Sequence, residues 1–173
     1  MNESNRGTLV TGILLVVLGI FFAALNLIPG LNASKTWPLI LITLAAGFIL
    51  PAFIWPQSRK GLASLFIPAS ILLVLGVIFL FNTLTGIWNI WAIAWMLIPA
   101  SVGLGLLSSA RVGKWNKGIR TVGVWILIIS LTTFSFFTAL FTNPVVKYIG
   151  AAILVLTGVF FLIRSLTKKN TTE

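Results

Sequence analysis

The chain has no cysteine, no histidine and no aspartate, and its only side-chain carboxylates are Glu3 and Glu173. Without thiols there are no disulfides and no thiolate nucleophile, and without Cys, His or Asp there is no donor set for structural zinc. A general-acid/base pair of carboxylates, or a His-centred triad, has nothing to be built from. A Ser/Lys dyad needs neither His nor Asp, but no lysine falls deep inside an apolar run to serve as its base. No catalytic, cofactor-binding or metal-binding residue is therefore expected, and no enzymatic activity. Charge is scarce as well. Only 8% of the 173 residues are charged while 58% are hydrophobic, against about 25% charged in ordinary soluble domains. Such a chain cannot coat itself in polar surface.

What is present is a series of long apolar runs separated by short polar or Gly/Pro turns. A bilayer crossing takes roughly 20 apolar residues at about 1.5 Å each. Six runs qualify, so the expectation is an all-α polytopic membrane protein with six transmembrane helices, forming one integral membrane domain over residues 1–173. The first run spans Thr8 to Ile28 and ends at Pro29-Gly30. It is too long for a signal-peptide core and is read as an uncleaved span behind the polar tail 1–7. The second opens at Trp37-Pro38, since proline is tolerated where a helix begins, and runs to Trp55. The third covers Leu62 to Leu84 and the fourth Ile90 to Ala110. The fifth follows Arg120 to Phe141, and the sixth ends near Leu166. Pro68 and Pro99, inside apolar runs, are expected to kink their helices.

The runs repeat. Leu15, Val17, Leu18, Gly19 and Phe22 recur 57 residues on as Leu72, Val74, Leu75, Gly76 and Phe79. Trp37, Leu39, Ile40 and Gly47 recur at an offset of 58 as Trp95, Leu97, Ile98 and Gly105. At an offset of 111, Gly12, Asn32 and Gly47 fall on Gly123, Asn143 and Gly158, and Trp37 on Tyr148. Three tandem helical hairpins follow, at about 8–55, 62–110 and 121–166. Small residues are expected to bring their helices together: Gly12, Gly19 with Ala23, Gly47, Gly76, Ser101 with Gly105, Gly123 and Gly158.

The net charge of +10 would suggest nucleic acid in a soluble protein, but the placement of the cations excludes that. Arg6, Arg59, Lys60, Arg111, Lys114, Lys117, Arg120, Arg164, Lys168 and Lys169 fall on one side of a six-span chain, and only Lys35 and Lys147 on the other. By the positive-inside rule both termini are cytoplasmic, and the hairpins share one orientation. Trp37, Trp88, Trp91, Trp95 and Tyr148 mark the outer interface. Arg111, Lys114, Trp115, Lys117 and Arg120 form a basic inner loop suited to anionic headgroups, at about 1 kcal/mol per basic residue.

No ionisable residue lies at mid-depth, the usual mark of coupled transport. Asn26 and Asn82 are expected to hydrogen-bond between helices or cap helix ends. The fifth run is rich in hydroxyls, with Ser130, Thr132, Thr133, Ser135 and Thr138. Its Ser130, Thr133 and Thr138 are the candidate polar path if the chain is a small channel or carrier for an uncharged solute, the alternative to an interaction module.

The first hairpin carries a recognisable pattern: Gly12 to Gly19 with Phe21-Phe22 behind, Leu25-Asn26-Leu27-Ile28-Pro29-Gly30, then Trp37-Pro38 and an aliphatic run. It resembles the LiaF-type transmembrane domain of bacterial envelope proteins. That resemblance implies a bacterial inner-membrane location and a role in envelope regulation through another membrane protein. In that family such hairpins often precede a soluble β-rich domain, whereas here a short polar tail follows the sixth run. The three-hairpin plan is also similar to HdeD-type membrane proteins, the second choice. Neither resemblance supplies catalytic residues.

Overall fold

Apolar side chains without β-branch alternation, interrupted at intervals by proline and glycine, leave the backbone little option but helix. The computed structural model describes residues 3–27, 33–141 and 144–169, and all the regular structure among them is helical. The longer helices are α1 (Glu3–Leu27), α3 (Leu39–Ile54), α5 (Phe66–Thr85), α7 (Leu97–Val112), α8 (Lys117–Phe141) and α9 (Pro144–Lys169). Single turns α2 (Ala33–Thr36), α4 (Arg59–Leu62) and α6 (Trp91–Ala94) lead into α3, α5 and α7. The expected Pro29-Gly30 and Thr142-Asn143 turns lie outside the described residues.

Proline shapes the three entries. Pro38 has no N–H to give, and the turn around it closes with Ile40 donating to Trp37 (3.0 Å) and Leu41 to Pro38 (3.1 Å), both three residues back. Ahead of Pro99, Met96 bonds to Ile93 and Ile98 to Trp95, each at 3.0 Å and again three residues back. Ahead of Pro68 the turn Ala63–Leu65 is 3₁₀. Removing an i→i−4 bond tightens the preceding turn to i→i−3. At Pro99 this separates α6 from α7, whereas at Pro68 the helical path continues from Pro56 to Thr85. The pair α2–α3 and the pair α6–α7 have the same lengths and lie 58 residues apart.

Two helices among the described residues, Pro56–Thr85 and Lys117–Leu140, are long and apolar enough to cross a membrane. The remaining apolar helical stretches, Thr11–Ala24, Leu39–Ile54, Leu97–Val112 and Gly150–Val159, are shorter than a full crossing. The Trp37-Pro38 and Trp95-Met96 breaks account for α3 and α7: each gives its first turn to a separate segment, α2 or α6.

Packing follows chain order. Helix α1 lies on α3, α3 on α5, α5 on α7, α7 on α8 and α8 on α9, and the α7–α8 contact is the most extensive. No contact of similar extent joins long helices further apart in that order among the described residues. Glycine makes the α7–α8 approach possible. A Cβ on Gly103 would stand 2.8 Å from the Gly123 carbonyl oxygen and 2.9 Å from the Leu127 nitrogen, and one on Gly123 would meet the Gly103 oxygen at 3.0 Å. Both obstacles are backbone, which cannot step aside.

Candidate functional site

The end of α7 and the basic loop after it are held to residues 60–63 by two side-chain hydrogen bonds. Helix α7 ends with Gly113 N–H donating to Ser109 and Trp115 N–H to Ala110, around Lys114 at φ +50°. That is a Schellman-type ending in which a lysine occupies the left-handed position usually given to glycine. It turns Trp115 back so that its Nε1 donates to the Lys60 carbonyl at 2.9 Å. The buried Ser109 hydroxyl donates to the Ala63 carbonyl at 2.7 Å, and Arg59 Nε to the Ala52 carbonyl at 3.1 Å. The loop is thus a folded unit clasped to residues 59–63. Trp115, read from the sequence as an interfacial residue, supplies the clasp.

The same reversal brings the last turn of α7, with Arg111, and the first turn of α8, with Arg120, to a common cleft. Both arginines border this cleft of about 480 Å³ between α7, α8 and α9, whose walls are otherwise almost entirely Leu, Ile and Val, with Thr157. Lys114 and Lys117 are exposed and do not line it.

At the opposite end the tryptophans divide. Trp37 packs on Phe79 with ring centroids 5.0 Å apart, and Phe79 stacks on Trp91 at 4.9 Å. This triplet joins α6 and the entry to α3 across α5. Trp88, Trp95 and Tyr148 are half or more exposed, and Trp95 Nε1 donates to the Ala92 carbonyl at 2.9 Å. Trp125, not singled out in the sequence, is 54% exposed on α8.

The three hydroxyls of the candidate polar path are not brought together as a path. Ser130 donates to the Met96 carbonyl, Thr133 to Ile129 at 2.8 Å and Thr138 to Phe134 at 2.6 Å. Ser130 and Thr133 border a cavity of about 340 Å³ with Trp95, Met96 and Pro99. Thr138 is buried elsewhere, against Gly150.

The small residues also divide. Gly47 faces the Leu14 side chain, Gly76 faces Ile42 and the Pro38 carbonyl, and Gly105 faces Ile67 and Ser70. Gly12, Gly19 and Gly158 instead look onto open space, so the expectation that they seat a neighbouring helix does not hold within this chain. Gly103 and Gly150 do seat one and were missed. A signal for the central contact was present: Ile-Pro-Ala-Ser occurs at 67–70 and again at 98–101. The two serines meet there, Ser70 Oγ donating to the Ser101 carbonyl at 2.7 Å.

Asn82 departs from expectation. Its side chain is fully buried, yet neither its amide nitrogen nor its oxygen has a hydrogen-bond partner. Only its backbone oxygen caps the helix, accepting from Gly86 N–H at 2.8 Å, with Gly86 at φ +72°. Ser135 Oγ is likewise buried without a partner. The side chain of Asn26 lies outside the described residues.

No family model, curated protein or solved structure matches the chain.

Proposed function

We propose that the chain is a six-span protein of the bacterial cytoplasmic membrane, both termini inside. In this reading it has no catalytic centre and works by binding other membrane components, namely anionic headgroups and a protein partner in the cell envelope. One observation carries the membrane part. In the most apolar windows of Pro56–Thr85 and Lys117–Leu140, only 17% and 28% of the residues are buried inside the protein. A core helix of a soluble protein with that composition would be mostly covered, and an uncovered apolar surface this extended calls for lipid or a partner. Ile129, Phe136, Leu140, Val77 and Leu84 are all more than half exposed.

Breaks at Trp37-Pro38 and Trp95-Met96 are compatible with six crossings, because α2 with α3 and α6 with α7 together recover the missing length. The binding role rests on chemistry that the sequence lacks, on the folded basic loop, and on the LiaF-type resemblance of the first hairpin. Hydroxyls that donate to helix carbonyls are poor substitutes for the water shell of a permeating solute, which counts against a channel.

The absence of cysteine makes the test direct. Single cysteines at Ser58 and Asn116 should react with an impermeant maleimide only from the cytoplasmic side, and cysteines at Ser34 and Asn89 only from outside. Labelling of Ser58 and Asn116 from opposite faces would overturn the topology. Saturable solute flux into liposomes holding the purified protein would replace the binding reading with transport.

A further inference from the structure

We propose that the cleft between α7, α8 and α9 is a binding site for an anionic phospholipid, with its phosphate between Arg111 and Arg120 and one acyl chain along the apolar wall. This deepens the membrane reading above and rests on it. Three features converge. The first is charge. Arg111 and Arg120 come from different helices and both line the cleft. The chain has twelve Lys and Arg against two carboxylates, Glu3 and Glu173, so its own side chains can neutralise very few of them. Guanidinium forks match phosphate oxygens in pairs.

The second is the wall. Leu107, Leu131, Ile153 and Leu156 are apolar, and the one hydroxyl there, Thr157, already donates to the Ile153 carbonyl at 2.7 Å. Away from the arginines, then, the cleft offers no free donor and suits hydrocarbon. Its volume of about 480 Å³ is in the range of small-molecule sites, roughly 300–1,000 Å³.

The third is length. From Arg120 to Leu131 the wall runs eleven residues along α8, about 16 Å at the helical rise. That is about half of a hydrocarbon core roughly 30 Å thick. A lipid of the cytoplasmic leaflet would place its headgroup at the arginines and its chain end near the midplane. A second copy of this protein is a poorer occupant, since it brings no carboxylate besides the same two glutamates.

The test uses full-length protein in detergent, titrated with phosphatidylglycerol or phosphatidylcholine of identical chains, with bound lipid counted by native mass spectrometry. Wild type should prefer phosphatidylglycerol. Replacing both arginines (R111Q with R120Q) should weaken that binding about thirtyfold, at roughly 1 kcal/mol for each cation. The pair K35Q with K60Q removes equal charge outside the cleft and outside the basic loop, and should leave binding within a few-fold of wild type. Thr157→Trp, which fills the cleft and touches no charge, should weaken phosphatidylglycerol binding as well. Circular dichroism should show unchanged helix content in all three.

Equal losses in the two charge pairs would overturn the site and leave the membrane reading intact. So would undiminished binding to Thr157→Trp, or full competition by inorganic phosphate, which would mark a soluble-anion site. A protein that stays soluble without detergent and retains neither lipid would sink the membrane reading together with the site.

Discussion

At the scale of single residues, the most costly position is Asn82. A buried amide with neither donor nor acceptor satisfied forfeits about 1–3 kcal/mol of desolvation. Asn82→Leu, of the same branched shape, should therefore raise the thermal midpoint in detergent, and Asn82→Asp should lower it. An unchanged midpoint in Asn82→Leu would mean that the amide is satisfied in solution. Lys114 is a second local cost. A non-glycine residue at φ +50° gives up about 1 kcal/mol to glycine at a left-handed helix ending. Lys114→Gly should stabilise the protein by about that amount, read from the same melt. The two neighbouring glycines differ in kind: Gly86 needs its φ of +72°, while Gly113 needs space, because a Cβ there would press on the Trp115 ring.

At the scale of helices, the existence and approximate span of each was legible from apolar runs and their proline or glycine ends. The Trp37/Trp95 correspondence also located two entries that share their element lengths. Which face meets which neighbour was not legible. In a helix apolar all round, the side facing protein and the side facing lipid use the same residues, so periodicity loses its meaning. Gly19, spaced with Ala23 as at an interface, faces open space, while Gly103, between Ser101 and Gly105, sits on backbone. Asn82 was misread for a related reason: a sequence shows a polar residue but not whether a partner stands opposite. These contrasts give a prediction. Gly103→Ala should destabilise α7 against α8 by about 1–3 kcal/mol through overpacking. Gly12→Ala, in open space, should be neutral or gain up to about 1 kcal/mol from helix propensity. Chemical denaturation of the two variants in the same detergent separates them, and equal midpoints would contradict the contact.

At the scale of the whole molecule, the helix ends near residues 59–63 and 111–117 carry the specific polar contacts and the opposite ends the aromatic ones. Trp115 on Lys60 and Ser109 on Ala63 join the two basic segments, while Trp37, Phe79 and Trp91 join the entries to α3 and α7. Trp115→Phe keeps an aromatic ring and removes the N–H, so it should loosen that clasp. Protease cleavage after Arg59 or Lys60 should become faster, with helix content unchanged by circular dichroism. Packing in chain order has a further consequence, for how the protein is made and unmade. Each long helix finds its neighbour in the segment synthesised just before it, so contacts can form as the chain emerges, without waiting for the last span. Pulled from its two ends in a single-molecule experiment, such a row should yield in successive steps from a terminus inward. A closed bundle, in which first and last helices lock together, would give way in one.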